Sequence, residues 1–242
     1  MLGRTVSSLI CLFLLAVAIP AQAAELVVVL STAPNLKLGQ IINAGDPLNL
    51  AAGESITLAS ESGKMTLLKG PHSGPSGIVD DGIREPDLVG ALSKLLTGTT
   101  SPKDKLGAMR GGDSGPPPNQ PWVVDTGKAG DQCVQEGKRT LLWRSQHAKA
   151  TILTLKNVDD NRKAVIRWPS LNSTLAWPNK TTLSDGANYQ VHLKGVPTRR
   201  RFVLHLVPAS LLSTAHRAVW MAKKGCINQA KRLLASEASA VK

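Results

Sequence analysis

Short apolar runs and turn residues alternate through residues 25–71. The runs at 26–30, 48–50, 55–59 and 64–69 carry most of the Leu, Val, Ile and Met, and Gly39, Gly45-Asp46-Pro47, Ala52-Gly53, Ser62-Gly63 and Gly70-Pro71 lie between or beside them. Period-two positions at Ile56/Leu58 and Met65/Leu67 predict short strands joined by Gly and Asp turns, as in a small antiparallel sheet, barrel or sandwich. The period then changes. Leu88, Leu92, Leu95 and Leu96 fall at helical spacing within residues 85–97, with Pro86 near the start and Gly98 at the end, which predicts an amphipathic helix of about three turns.

Residues 99–121 show neither period. They are Thr, Ser, Gly, Pro and charge, with Gly111-Gly112 and Pro116-Pro117-Pro118, and such a segment cannot bury apolar surface. We read it as a linker between a domain at 24–98 and one at 122–242. The second domain resumes the strand pattern at 122–125, 140–144, 150–155, 163–168, 188–193 and 201–207, with turns at Asp159-Asp160-Asn161 and Asp185-Gly186 and near Pro197. From residue 210 the apolar positions Leu211, Leu212, Ala215, Ala218, Val219, Met221 and Ala222, then Ile227, Ala230, Leu233 and Leu234, predict two short helices hinged at Gly225, or one interrupted there. The expected fold is mainly β with some α: two sandwich- or barrel-like parts, short helices and a helical tail.

Residues 1–23 have the order of a secretory signal. Arg4 precedes an apolar run at 9–19, then Pro20 and the small-residue site Ala21-Gln22-Ala23, so cleavage is expected after Ala23 and the expected compartment is the periplasm. The apolar run is short of the roughly 20 residues of a membrane-spanning helix, and no later segment comes closer. Cys11 leaves with the signal. Cys133 and Cys226 remain, and in an oxidising space they form a disulfide or are two buried thiols; the bridge is the simpler reading and would tie the helical tail to the second sheet.

Charge adds an asymmetry. Residues 24–121 carry 8 Lys and Arg against 10 Asp and Glu, whereas 122–242 carry 20 against 7, so the second half, at +13, carries more than the whole net charge of +12 and the first part is slightly acidic. Such a field attracts lipopolysaccharide, phospholipid headgroups, acidic wall polymers or an acidic protein surface; outside the cytoplasm nucleic acid is not an expected partner. The alternative is a surface that is merely soluble. The densest cluster is Arg199-Arg200-Arg201 with Lys194, expected at a hairpin tip. Consecutive strand residues point to both faces, so at least one guanidinium stays free for phosphate or carboxylate. Lys223 and Lys224 could extend the patch from the helices, as could Lys231 and Arg232. The bland reading of the arginines is a charged loop end that blocks edge pairing, and that of the lysines is a solvated helix face.

The stretch 38–74, with Gly45-Asp46, Gly53-Glu54-Ser55-Ile56-Thr57-Leu58, Ser62-Gly63-Lys64 and Leu68-Lys69-Gly70-Pro71, resembles the β repeats of periplasmic FecR-type domains. Together with Arg167-Trp168-Pro169, Trp177-Pro178, Asp185-Gly186-Ala187-Asn188-Tyr189, Met221-Ala222, Gly225-Cys226 and Gln229-Ala230, it also resembles a group of exported proteobacterial proteins without an established activity. The FecR-type resemblance implies a signalling or assembly partner that recognises another exported protein through its N-terminal β domain.

Three features of the sequence imitate catalytic or ligand-binding chemistry. Gly112-Asp113-Ser114-Gly115 imitates a serine-protease nucleophile, but only His72 precedes it and three prolines follow, so a linker is the better reading. If a hairpin turned at Thr198-Arg199, His192 and His205 would become cross-strand neighbours able to share a metal; otherwise they lie on a solvent face. Trp168 and Trp177, each followed by Pro, could form a platform for sugar or peptide, or plug the core. No phosphate-binding loop, metal set or paired carboxylates appear, so no cofactor and no metal are expected. The leading expectation is a non-catalytic envelope module that binds an anionic component or acidic protein through the basic domain. An enzyme is the least favoured reading, although catalytic residues can come from distant positions.

Overall fold

The computed structural model describes residues 24–85, 87–98 and 120–241. The signal at 1–23, nearly all of the linker and Gly112-Asp113-Ser114-Gly115 lie outside them. The chain is mainly β with three helices among the described residues, as expected. Its first part has β1 (Glu25–Ser31), β2 (Ile41–Asn43), β3 (Pro47–Leu50), β4 (Ser55–Ser60), β5 (Met65–Lys69), β6 (His72–Pro75) and α1 (Leu88–Thr97). Then come β7 (Val123–Asp125), β8 (Gly130–Gln135), β9 (Leu141–Trp143), β10 (Thr151–Asn157), β11 (Lys163–Trp168), β12 (Thr174–Ala176), β13 (Asn188–Leu193) and β14 (Arg200–Val207), followed by α2 (Thr214–Lys223) and α3 (Ile227–Ala240).

The layers follow from which side chains each strand sends to each face. The sheet ordered β2-β1-β4-β5 is apolar on both sides. Leu26, Val28, Ile56 and Leu58 pack against the β3–β6 ribbon through Leu48 and Leu50, while Val27, Val29 and Ala59 face the helices. The second sheet, ordered β11-β10-β13-β14-β8, buries Leu153, Leu155, Tyr189, Val191, Phe202 and Leu204 against the small β12-β9-β7 sheet. The opposite face of β8 and β14, through Cys133 and Val207, meets the helices. The helical layer therefore lies between two sheets, and one apolar cluster runs from Val27 and Val29 of β1 through Leu92 of α1 and Met221 of α2 to Cys133 of β8. Ala215, Ala218 and Ala230 are fully buried, and their small side chains let the helices approach closely.

The two C-terminal helices part at Gly225, at a Schellman turn. Cys226 N–H reaches Met221 C=O at 2.9 Å and Gly225 N–H reaches Ala222 C=O at 3.0 Å, satisfying carbonyls that the helix end leaves open. Gly225 is required twice over, since its φ is +86° and an added Cβ would lie 2.6 Å from the Asp131 carboxylate. The turn delivers Cys226 to Cys133, and the two are joined in a disulfide buried at both ends.

β8 ends the five-stranded sheet, and two glutamines satisfy groups that an end strand leaves without a partner. The Gln229 amide accepts from Cys133 N–H at 2.8 Å and donates to Cys133 C=O at 2.7 Å and Pro121 C=O at 2.8 Å. Gln132 does the same for β7, accepting from Asp125 N–H at 2.7 Å and donating to Asp125 C=O at 3.0 Å. Both side chains are buried, so each replaces a missing strand with an amide of the right geometry.

Two stability predictions follow from this junction. Reducing the disulfide, or replacing both cysteines with Ala, should cost about 2–5 kcal/mol in chemical denaturation, because the joined positions are 93 apart in sequence. Gln229→Leu keeps similar volume but strands the buried Cys133 and Pro121 backbone groups. It should lower stability by about 3 kcal/mol, read as a fall in the thermal midpoint, and an unchanged midpoint would remove the amide from its assigned role.

Candidate functional site

The basic cluster is organised by the β13–β14 hairpin. Its register sets Val191 opposite Arg200, Gln190 opposite Arg201 and Tyr189 opposite Phe202. The connection is centred between Gly195 and Val196, not at Thr198-Arg199. Gly195 takes the left-handed φ of +92° and Val196 N–H returns to Leu193 C=O at 3.0 Å, which closes the turn early. This corrects the pairing of His192 with His205. His192 is instead opposite Thr154 of β10, with Nε2 3.1 Å from Val196 C=O. His205 is opposite Cys133 of the parallel strand β8, with Nε2 2.7 Å from Asp131 Oδ1. No group of three or more His, Cys, Asp or Glu side chains placed to hold a metal occurs among the described residues.

The arginines are likewise not all at the tip. The loop is 194–199, and Arg200 and Arg201 already belong to β14. Arg200 lies on the same face as the core-facing Phe202 and Leu204, whereas Arg201 shares the opposite face with Val203 and His205. Arg199 and Arg201 are exposed and Arg200 is half-buried. Lys194 opens the loop, its backbone held to β10 by N–H to Ile152 C=O at 2.9 Å and by the Thr151 hydroxyl at 2.9 Å. On the far side, Lys223 and Lys224 end α2, where the helix dipole favours cations.

The two groups of cations share one end of the sheet. Asp131 is in register with Val203, one pleat along from Arg201, and its carboxylate packs directly beneath Gly225. That places the end of α2 beside β8, level with Val203 and two residues along β14 from Arg201. Asp131, the acid lying between them, is occupied by His205. Among the described residues no ion pair includes Lys194, Arg199, Arg200, Arg201, Lys223 or Lys224, and Lys224 lies 5.4 Å from the Trp220 ring. The outcome is a cationic edge whose neighbouring carboxylate is already committed. Lys231 and Arg232 contribute elsewhere: Lys231 donates to Gly98 C=O at 2.8 Å, and burial pulls the Arg232 pKa down while the nearby Asp125 holds it up.

Trp168 is not part of a platform. It is fully buried, donates its indole N–H to Asn172 C=O at 2.9 Å, and one face is covered by the Arg144 guanidinium at 4.9 Å. Trp177 is half-buried and packs edge-on against Tyr189 with centroids 5.0 Å apart.

One chemistry-bearing cluster has no counterpart among the sequence motifs. Ser213 Oγ lies 2.6 Å from His216 Nδ1, and His216 Nε2 lies 3.4 Å from Glu85. The order hydroxyl, imidazole, carboxylate resembles a nucleophile with its base and orienting acid. Such a group needs space for a reacting carbon beside the hydroxyl. Here the backbone of Gly63 fills it, since a Cβ at that position would fall 2.2 Å from Ser213 Oγ. Ser213 acts as the N-cap of α2, accepting from His216 N–H. The cluster joins the β4–β5 turn to the helical layer. The signal for it was the Ser-x-x-His spacing at the helix start, which only the tertiary contact with residue 63 gives meaning.

Burial also raises the Asp125 carboxyl above its ordinary range, against the pull of Gly127 N–H, Lys128 and Arg232. Its Oδ1 accepts from Gly127 N–H at 2.9 Å, so this acid braces a turn inside the fold. The open groove of about 700 Å³ beside Pro34, Leu50, Pro71 and His72 has no buried, unpartnered polar side chain among its lining residues. Comparison with known proteins supplies no family for this arrangement: no protein-family model matches the sequence, and no curated protein matches it.

Proposed function

We propose that this protein is a non-catalytic periplasmic module that docks onto an anionic envelope component, or an acidic protein surface, through the cationic edge of its second half. The observation that carries the reading is the set Lys194, Arg199, Arg200, Arg201, Lys223 and Lys224 at one end of the sheet, without ion pairs among the described residues. Arginines that pair internally would have served stability. Arg199 and Arg201 are left to solvent, where guanidinium groups can grip phosphate or carboxylate in two-point contacts, and Arg200 is half-exposed beside them.

An extracytoplasmic setting is supported by the buried disulfide and by the leader pattern of residues 1–23. No helix among the described residues is long and apolar enough to cross a membrane, which fits attachment from outside a bilayer. Docking would be electrostatic: long-range attraction brings the basic half to the surface, and salt weakens it because the screening length falls from about 10 Å at 0.1 M to about 3 Å at 1 M.

A second reading, contact with another exported protein through the FecR-like N-terminal strands, is favoured by one feature. β5 ends its sheet, and among the described residues no strand pairs with its outer side, where a partner's strand could be added.

Cosedimentation with vesicles tests the first reading. The protein should pellet with vesicles rich in anionic phospholipid, remain in solution with neutral ones, and be released as salt is raised. Changing Arg199, Arg200 and Arg201 together to Ser should weaken binding roughly 100-fold, at about 1 kcal/mol per cation near a charged surface, with the thermal midpoint little changed. Equal binding by the variant would count against the patch.

A further inference from the structure

The opposite end of the same sheet holds a second, differently built concavity. β8 leaves its parallel pairing with β14 at Gln135–Val207, five residues from the Phe202–Gly130 pair beside the arginines, so the two places are roughly 17 Å apart along the strands. There the β8–β9 turn meets the end of β12 and forms a cavity of about 420 Å³, within the roughly 300–1,000 Å³ range of small-ligand clefts. Lys138, Arg139, Thr140, Trp177, Asn179 and Leu183 line it.

Four features make this a site and not a surface dent. Lys138 and Arg139 are adjacent, exposed, and in no ion pair among the described residues. Trp177 cannot swing away, because its indole N–H donates to Thr181 C=O at 2.9 Å and its ring is braced by Tyr189. The 177–181 loop that carries Asn179 is closed on itself, with Thr181 N–H and Thr181 Oγ1 both 3.1 Å from Pro178 C=O. Finally, Thr140 is 6 % exposed, and its hydroxyl finds no partner among the described residues. The oxygen itself is shut off from solvent, so a ligand oxygen reaches it only with a small shift of the groove wall, and would then recover the free energy that an unpartnered buried hydroxyl costs.

We infer that this groove binds a sugar ring bearing an acidic group. The two cations suit a carboxylate or phosphate, the fixed indole offers an apolar face to ring C–H groups, and the Asn179 amide and Thr140 hydroxyl suit sugar hydroxyls. A bare anion would leave Trp177 and Leu183 unused, and a neutral sugar would leave Lys138 and Arg139 unused. The inference stands apart from docking at the arginine edge, since it uses none of those residues.

The test is NMR titration of the purified protein, following the Trp177 indole N–H signal, with glucuronate and glucose 6-phosphate as probes and with glucose, inorganic phosphate and adenosine monophosphate as comparisons. Saturable shifts are expected with both acidic sugars, weaker ones with glucose or phosphate alone. Lys138→Ala with Arg139→Ala should weaken acidic-sugar binding about fivefold, as fits two exposed charges, without moving the thermal midpoint. Asn179→Ala, on an exposed loop, should also weaken it and serves if the double variant is unstable. The inference is overturned by no saturable shift with either acidic sugar, by phosphate alone matching them, by adenosine monophosphate binding more tightly, or by unaltered binding in the folded variants. Glucuronate and glucose 6-phosphate together distinguish a carboxylated from a phosphorylated ligand, and preference for either supports the site.

Discussion

One strand, β8, carries the constraint on which the molecule depends. It closes the five-stranded sheet by pairing in parallel with β14, holds α3 through the Cys133–Cys226 disulfide, and has its outward backbone groups satisfied by Gln229 from that same helix. Each of these would leave a fault if removed: an open sheet edge, a detached helix, or buried backbone groups without partners. Because α3 and α2 also bury their other faces against β1 and β4, fixing them to β8 fixes the N-terminal sheet in the same core. A parallel pair needs a long return connection, and here that connection passes through the rest of the second sheet, so the junction forms only from residues distant in sequence.

The cationic edge is a by-product of that junction. α2 must end where Gly225 can turn above Asp131, since otherwise Cys226 would miss Cys133. Lys223 and Lys224 are therefore carried beside β8, at the end of the sheet where β14 begins with Arg200 and Arg201. The carboxylate beneath them bonds to His205, which leaves the cations' charge facing outward. Packing thus explains where the charge sits, and the excess of bases in the second half explains why it is not neutralised nearby.

Strands with clear alternation or an apolar run between turn residues were legible from the sequence: β4, β13 and β14 lie close to where the pattern put them, as do the helices either side of Gly225. β2, β6, β8 and β12 were not. β8 reads Gly-Asp-Gln-Cys-Val-Gln, and its adjacent apolar residues Cys133 and Val134 face two different cores, so no period marks it. Gln132 and Gln229 look like surface residues and are buried because their amides stand in for strands. The arginine run was visible as charge, but its register was not, because a left-handed Gly195 moved the turn three residues from the place that a tight hairpin would have put it. Thr140 and Trp177 gave no sign in sequence that they share a groove, since β9 and β12 meet only in the folded sheet.

Native-state hydrogen exchange measures the central claim most directly. If β8 and its attachments unite the two sheets, amides in the centres of β1, β4, β14 and α3 should exchange only through one global opening, with the same free energy and the same dependence on denaturant. Protection in β14 that persists while β1 and β4 open at a distinctly lower free energy would show that the N-terminal sheet folds apart from the junction, and would contradict it.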